Sequence, residues 1–358
     1  MKHFTLVFAA ALALAACGSH NKALLPNVSG KAGEVVVVLD KDNWEGAAGY
    51  TVREFLACEC PFLPQVEPLY TLVNVPPGSF GDLFKIHRNI VYCEINPQAT
   101  SEGVVYKRDV WASPQCVIVA SAPDAASLVG LFADNAAQIV SAVERRQTPP
   151  KPVLTAEAAK VVSAIEQAER DRVIRNSMLY EERSLFPAVA EVFGGSPHFP
   201  SGYKLKKKTS DFIWIADEKQ YTIQGVLIYS TPVLKADNFS VGNIIARRNE
   251  VLKANVPGMF DNTWMTTSEF WTPTVEHIRY NGRNFTQTRG LWEVQNDYMG
   301  GPFVSHTFYS RDGSRIITAE AFVYAPKYDK RQYLRQVESI LYSWEWKEPA
   351  AGSGKEVK

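Results

Sequence analysis

The chain has 358 residues, with 38 Lys and Arg balanced by 38 Asp and Glu. That balance excludes the net basic surface on which non-specific nucleic-acid binding runs, so no nucleic-acid partner is expected. A hydrophobic content of 46% with 11% aromatics suits a folded protein with substantial cores, and the length predicts two domains.

The first element is a short apolar run, Phe4 to Ala16, preceded by Met1-Lys2-His3 and ending in Leu14-Ala15-Ala16-Cys17. A spanning helix needs about 20 apolar residues, so this run is too short to cross a bilayer. A basic start, an apolar stretch and small residues before a cysteine read as a lipoprotein signal. Residues 1–16 are expected to be cleaved, leaving Cys17 as the acylated, palmitate-bearing N-terminus. Each buried methylene contributes about 0.8 kcal/mol, so several acyl chains on one cysteine would anchor the protein durably. Gly18 in place of aspartate, by resemblance to sorted lipoproteins, favours the outer membrane. Ser19-His20-Asn21-Lys22 lack the acidic cluster of many surface-exposed lipoproteins, which favours a periplasm-facing position.

Residues 17–33 carry no periodicity and are expected to be a flexible tether. An N-terminal α+β domain is predicted over 34–148. Val35-Val36-Val37-Val38-Leu39 has the signature of a strand buried on both faces. A helix with Val52, Phe55 and Leu56, a strand from Leu69, a helix near Ser79 to His87 and strands at Ile90, Val104 and Gln115 follow. Asp124 should cap one amphipathic helix running to about Val143. Pro149-Pro150-Lys151-Pro152 cannot continue that helix, and residues 149–195 are predicted as a linker plus a connecting helix, Ala156 to about Glu182. At 1.5 Å per residue it would be about 40 Å long, suited to the seam between two domains.

A second α+β domain is predicted over 196–347, richer in strands. Asn281-Gly282 is a strong type I′ hairpin signal and Asp312-Gly313 a similar one. Asp329 with Gln332 reads as a capping box for a last helix, and 348–358 as a disordered tail. Each half ends in two strands, an Ala-Pro step, an aspartate and an amphipathic helix. The fold class expected is therefore α+β: two sheet-plus-helix modules joined by a long helix, with the outline of a degenerate internal duplication.

Cys58, Cys60, Cys93 and Cys116 leave disulfides open between the first two and the last two, and their spacing matches no usual zinc loop. No metal or cofactor is expected. There is no Gly-x-Ser-x-Gly elbow, no His-Glu-x-x-His and no dinucleotide fingerprint. His87-Arg88-Asn89 is read as a cationic helix end, with Glu67 a carboxylate partner if the fold brings it close. His306 is read as a satisfied sheet-face histidine, and His198 lies alone in a proline-rich loop. Arg289, beside Gly290 and near Trp292, could bind a carboxylate or phosphate, or pair internally with Glu293 or Glu320. The amides of Gly300 and Gly301 could form an anion-binding nest. A reversal near Asn296-Asp297 would bring these two patches together, so Arg289, Trp292, Gly300, Gly301 and His87 are the candidate ligand residues. Trp264, Phe270 and Trp271 form an aromatic cluster.

At Leu63-Pro64-Gln65-Val66-Glu67-Pro68, His87-Arg88-Asn89-Ile90, Arg289-Gly290-Leu291-Trp292 and Met299-Gly300-Gly301-Pro302-Phe303 the chain resembles a lipoprotein family of Bacteroidota known only as a domain of unknown function. The likeness runs from about Glu34 to Trp346. It implies an envelope lipoprotein with two α+β halves and carries no activity with it. The function expected is a periplasm-facing, lipid-anchored binding or accessory protein with an envelope protein or glycan as partner. The alternative is a hydrolase or transferase acting on cell-wall or glycan material through His87 or His306, carboxylates and Arg289. Gathering of His87, Glu67, Arg289 and His306 in one cleft would favour the enzyme; dispersal would favour binding.

Overall fold

The computed structural model describes residues 25–98 and 102–348. The expected signal, Cys17 and all of the tail beyond Glu348 lie outside the described residues, as do residues 17–24 of the expected tether. No helix among the described residues is long and apolar enough to cross a membrane.

The N-terminal module contains β1 (Glu34–Val38), α1 (Lys41–Glu45), α2 (Ala47–Leu56), β2 (Thr71–Val75) and α3 (Asp82–Lys85). It continues through β3 (Asn89–Ile95), β4 (Gly103–Arg108), β5 (Cys116–Ala122), α4 (Ala125–Phe132) and α5 (Ala136–Glu144). Its five strands lie in the order β2-β1-β3-β5-β4, all parallel except the β4 edge. The valine run of β1 is buried on both faces because α2 and α4 cover one side while Phe80, Phe84 and Trp111 cover the other. Asp124 does cap a helix, accepting from Ser127 N at 2.7 Å. The amphipathic stretch it opens is nevertheless two helices. Ala133 at the break pairs with Leu154, and Asn135 ties down the linker through Lys151 O and Val153 N.

Part of the expected tether is not loose. Ser29 pairs with His87 and Asn27 with Ser113, and Gly33 O accepts from Thr71 N at 2.9 Å. Gly30, at φ +86°, lies against the His87 imidazole so closely that a Cβ would sit 2.1 Å from Nε2. From about Pro26 the chain is therefore part of the module.

The connecting helix α6 (Ala156–Leu179) is capped by Thr155, whose hydroxyl accepts from Ala158 N. Its first half sends Val161, Ile165 and Ala168 into the N-terminal core, and Ile174 packs against the C-terminal one. The helix belongs to both modules.

The C-terminal module comprises α7 (Leu185–Phe193), β6 (Gly195–Ser196), β7 (Lys204–Lys208), β8 (Phe212–Lys219), β9 (Thr222–Pro232) and α8 (Val241–Asn255). Then come β10 (Met265–Thr267), β11 (Thr274–Tyr280), β12 (Arg283–Val294), β13 (Gly300–Tyr309), β14 (Arg315–Tyr324), α9 (Arg331–Tyr342) and β15 (Glu345–Trp346). An antiparallel sheet runs β10-β12-β13-β14-β9-β8-β7, with β11 also on β12. Asn281 and Gly282, both at positive φ, make the β11–β12 turn. Helices α7 and α9 cover one face of the sheet, and α8 covers the other. Both modules are thus sheets flanked by helices, an α+β chain. One sheet is mainly parallel and the other antiparallel, so the shared outline is not a shared topology.

The modules are latched by the loop between α2 and β2. Leu63 is buried in the C-terminal core, with Cys60 packed beside it. The expected Asp329 capping box is absent. Lys330 is the N-cap of α9, and the orphan amides of Lys330 and Arg331 donate to Glu67 Oε1 and Oε2 at 2.7 and 3.0 Å. A carboxylate of one module caps a helix of the other, where it also meets the positive end of the helix dipole.

A candidate ligand cleft between the modules

Where α6 crosses from one module to the other, a cleft of about 610 Å³ remains open. Three surfaces shape it. The N-terminal wall is Asn27, Val28, Ser113, Pro114 and Arg88, the last at the start of β3. The floor is the middle of α6, with Glu169, Arg172, Val173 and Asn176. The C-terminal wall is Asp217 and Gln224 from adjacent strands, with Gln332, Arg335 and Ile340 from α9.

The floor is a network fixed by the fold. The Glu169 carboxylate accepts from Arg172 Nη1 at 2.8 Å and from Asn89 Nδ2 at 2.7 Å. Arg172 also donates to Asn89 Oδ1, Arg88 O and Pro114 O, so each of its three nitrogens has a partner. Burial pushes the Arg172 guanidinium below its ordinary range despite the attraction of Glu169. Arg88 Nε stands 3.6 Å from the same Glu169 oxygen, too far for a hydrogen bond, and has no other partner. Two guanidinium groups thus share one carboxylate.

On the opposite wall Arg335 donates to Glu166 at 2.6 Å and Tyr70 OH donates to the same oxygen at 2.7 Å. Burial pushes the Glu166 carboxyl up, but Arg335 and Tyr70 outweigh it and hold it below the ordinary range. Gln224 is 93% buried, faces the cleft, and its Oε1 has no hydrogen-bond partner.

The structure disperses most of the candidates read from the sequence. His87 is buried under Gly30, its Nε2 3.5 Å from Glu34 Oε2 and its Nδ1 3.1 Å from Asn89 O. Glu67 caps α9. Arg289 and Trp292 project from opposite faces of β12, because side chains three apart on a strand alternate. They cannot line one patch. Arg289 faces α9 and pairs with Glu338, with Gln287 Oε1 3.1 Å from its Nε. Its expected internal partner Glu320 belongs instead to Arg248. Trp292 is 2% exposed and donates to Val323 O. Gly300 and Gly301 are strand residues paired with Glu293 and Trp292 and have no positive φ, so they form no amide nest. Gly301 instead allows close passage: a Cβ there would lie 2.1 Å from Val323 O. Both glycines and Trp292 line a separate shallow hollow of about 470 Å³ beside the exposed Phe270 and Tyr298.

Of the four groups considered for catalysis, Arg289 and His306 share a neighbourhood, through Gln287, and His87 and Glu67 lie apart from it. His306 is fully buried, stacked on Phe285 at 4.0 Å, and burial, reinforced by Arg283, Arg289 and Arg170, holds it well below the ordinary histidine range. His198 is not alone, since its Nδ1 lies 2.6 Å from Glu181 Oε1. The four cysteines are free, and burial pushes the Cys60 thiol up to about 11.

The cleft residues Arg172, Glu169, Gln224 and Arg335 were missed in the sequence. A signal existed: the apolar stripe of α6, Val161, Ile165 and Ala168, continues at helical spacing into Arg172 with Glu169 alongside. A stripe that turns charged without turning outward marks buried charge.

Fold and site together define a two-module α+β protein with a cleft at its seam lined by charged and apolar groups. Residues 28–149 match the family model described as a domain of unknown function (DUF8532), and residues 182–343 match a second domain of unknown function (DUF4837). No curated protein matches the chain.

Proposed function

We propose that the protein is a lipid-anchored, periplasm-facing binding or accessory protein of a Bacteroidota outer membrane, and that the seam cleft is its binding site. The observation that supports binding over catalysis is the placement of the candidate acid–base groups. None of His87, Glu67, Arg289 and His306 lines the cleft, and His306 is inaccessible. The cleft instead sets arginines and an amide within a mainly apolar wall, the composition of a recognition site. The anchor rests on Cys17 and the signal before it.

Two measurements test this reading. Cys17→Ala should abolish palmitate labelling and move the protein from the membrane to the soluble fraction; retention in the membrane would overturn the anchor. A photo-crosslinking residue at Asn176, exposed at the cleft mouth, should capture an envelope component in intact cells. The same residue at Arg311, remote from the cleft, should not. Equal capture at both positions, or none at Asn176, would overturn the cleft as the binding site.

A further inference from the structure

We infer that the seam cleft takes a small hydroxylated anion, a compound of hexose size carrying one carboxylate or phosphate, with Arg88 as the anion contact and Gln224 as a hydroxyl contact. The inference rests on the cleft being the binding site and adds the chemistry of its ligand.

Charge comes first. Arg88, Arg172, Arg175, Lys219 and Arg335 line the cleft, against only Glu169 and Asp217, in a chain whose overall charge is balanced. Pairing does not cancel that excess. Lys219 has Asp217 at 3.0 Å, Arg172 has Glu169, and Arg335 has Glu166 just outside the lining, but Arg88 has only a distant claim on Glu169. Arg175 makes no ion pair among the described residues. A guanidinium that is 84% buried and short of a carboxylate gains from an anion able to accept from its fork.

The second observation is independent of charge. Gln224 Oε1 is a buried acceptor with nothing to accept from, on a side chain that borders the void. Leaving such an acceptor unpaired is costly, and a half-turn of the amide would bring it to the cleft face, where a ligand hydroxyl or amide N–H would satisfy it. Between these polar points Val173, Leu179 and Ile340 give apolar wall, suited to the C–H face of a small ring. A cleft of about 610 Å³ lies within the range that encloses small molecules.

Three sugars on one pyranose ring separate the terms: glucose 6-phosphate, glucuronate and glucose, titrated calorimetrically into the full chain in mild detergent. At least one charged hexose should bind ten or more times tighter than glucose. A preference for glucose 6-phosphate assigns phosphate, and a preference for glucuronate assigns carboxylate. Arg88→Gln should remove that preference, Arg175→Gln should weaken it severalfold at an exposed position where folding is not at stake, and Arg311→Gln should leave binding unchanged. Gln224→Leu should weaken all three hexoses while keeping their order. Equal affinity for glucose and the charged sugars, no binding of any of them, or anion binding untouched by both arginine changes would overturn the ligand class. In-cell crosslinking from Asn176 tells the two failures apart. If no hexose binds but the Asn176 product persists and disappears with Gln224→Leu, the ligand class falls and the cleft stands. If that product is absent as well, both fall.

Discussion

Two buried arginine–carboxylate clusters among the described residues are completed differently. In the C-terminal module, between α8 and the sheet, Arg248 donates Nε and Nη2 to the two oxygens of Glu320 at 2.8 and 2.7 Å, both side chains wholly excluded from solvent. Its Nη1 reaches Thr267 Oγ1, and its plane lies 4.0 Å from the centre of the Phe303 ring. Gly290 stands beside that ring, where a Cβ would sit 2.8 Å from it. One charge meets one countercharge in bidentate geometry with no space left over. At the seam, two guanidinium groups crowd one carboxylate, a buried amide oxygen is unpaired, and the cluster borders a void. A saturated cluster has nothing to offer a ligand and acts as structure. An unsaturated one facing a cavity is where binding free energy is available, because the desolvation cost of its groups has already been met by folding.

The saturated cluster should be the most damaging to break. Glu320→Ala leaves Arg248 charged, buried and unpartnered, and should cost about 3–5 kcal/mol in urea denaturation. The double variant Arg248→Met/Glu320→Leu should recover most of that loss, since an apolar pair of similar volume carries no desolvation cost. Arg88→Gln at the seam should cost far less, because it removes the surplus charge. Were Arg88→Gln as destabilising as Glu320→Ala, the distinction between the clusters would collapse.

The latch between the modules is the next strongest test. Glu67 satisfies two orphan amides of α9, so Glu67→Ala should destabilise by about 1–2 kcal/mol, the upper range for loss of a helix cap. The loss should not be uniform. Limited proteolysis should open the segment around 58–68 and the start of α9 before either sheet, and ligand binding at the seam should weaken because Gln332 and Arg335 ride on the same helix. Cutting first inside β1 or β3 would show that Glu67 supports the N-terminal module rather than the joint.

Much of this architecture was legible in the sequence, for identifiable reasons. The β1 valine run, the α6 stripe, the Thr155 cap region and the Asn281-Gly282 turn are local signals, written within a few residues of the structure they produce. The seam is not local. Glu67 and α9 are more than 260 residues apart, so Asp329, the nearer carboxylate, looked like the cap, although the fold delivers a remote one. Leu63-Pro64-Gln65-Val66-Glu67-Pro68 could be read as an extended segment but not as a latch, because its partner lies in the other module. Arg289 and Trp292 looked like one site because they are near in sequence; strand alternation sets them on opposite faces. Arg248 and Glu320 carry no local mark, since an arginine on a helix and a glutamate on a strand read as surface until their register is known.

The smallest expected effect concerns His306, which is fully buried behind α9 with its Nδ1 unpartnered and is held neutral there. Burial is the first cause, and Arg283, Arg289 and Arg170 add repulsion, so its pKa is lower in the folded chain than the ordinary value near 6.5. The sign follows from proton linkage. Well above pH 6.5 the imidazole is neutral folded or unfolded and contributes no pH dependence. As pH falls below that value the unfolded chain takes up a proton that the folded chain refuses, so stability is lost, with a slope approaching about 1.4 kcal/mol per pH unit for this one group. Urea midpoints measured between pH 7.5 and 5.5 should decline over the lower half of that range. His306→Gln keeps a polar side chain beside Gln287 but has no proton to exchange, and should flatten the decline while lowering stability at pH 7.5. A decline of the same steepness in His306→Gln would place the titrating group elsewhere and remove the claim that burial among Arg283, Arg289 and Arg170 keeps this histidine uncharged.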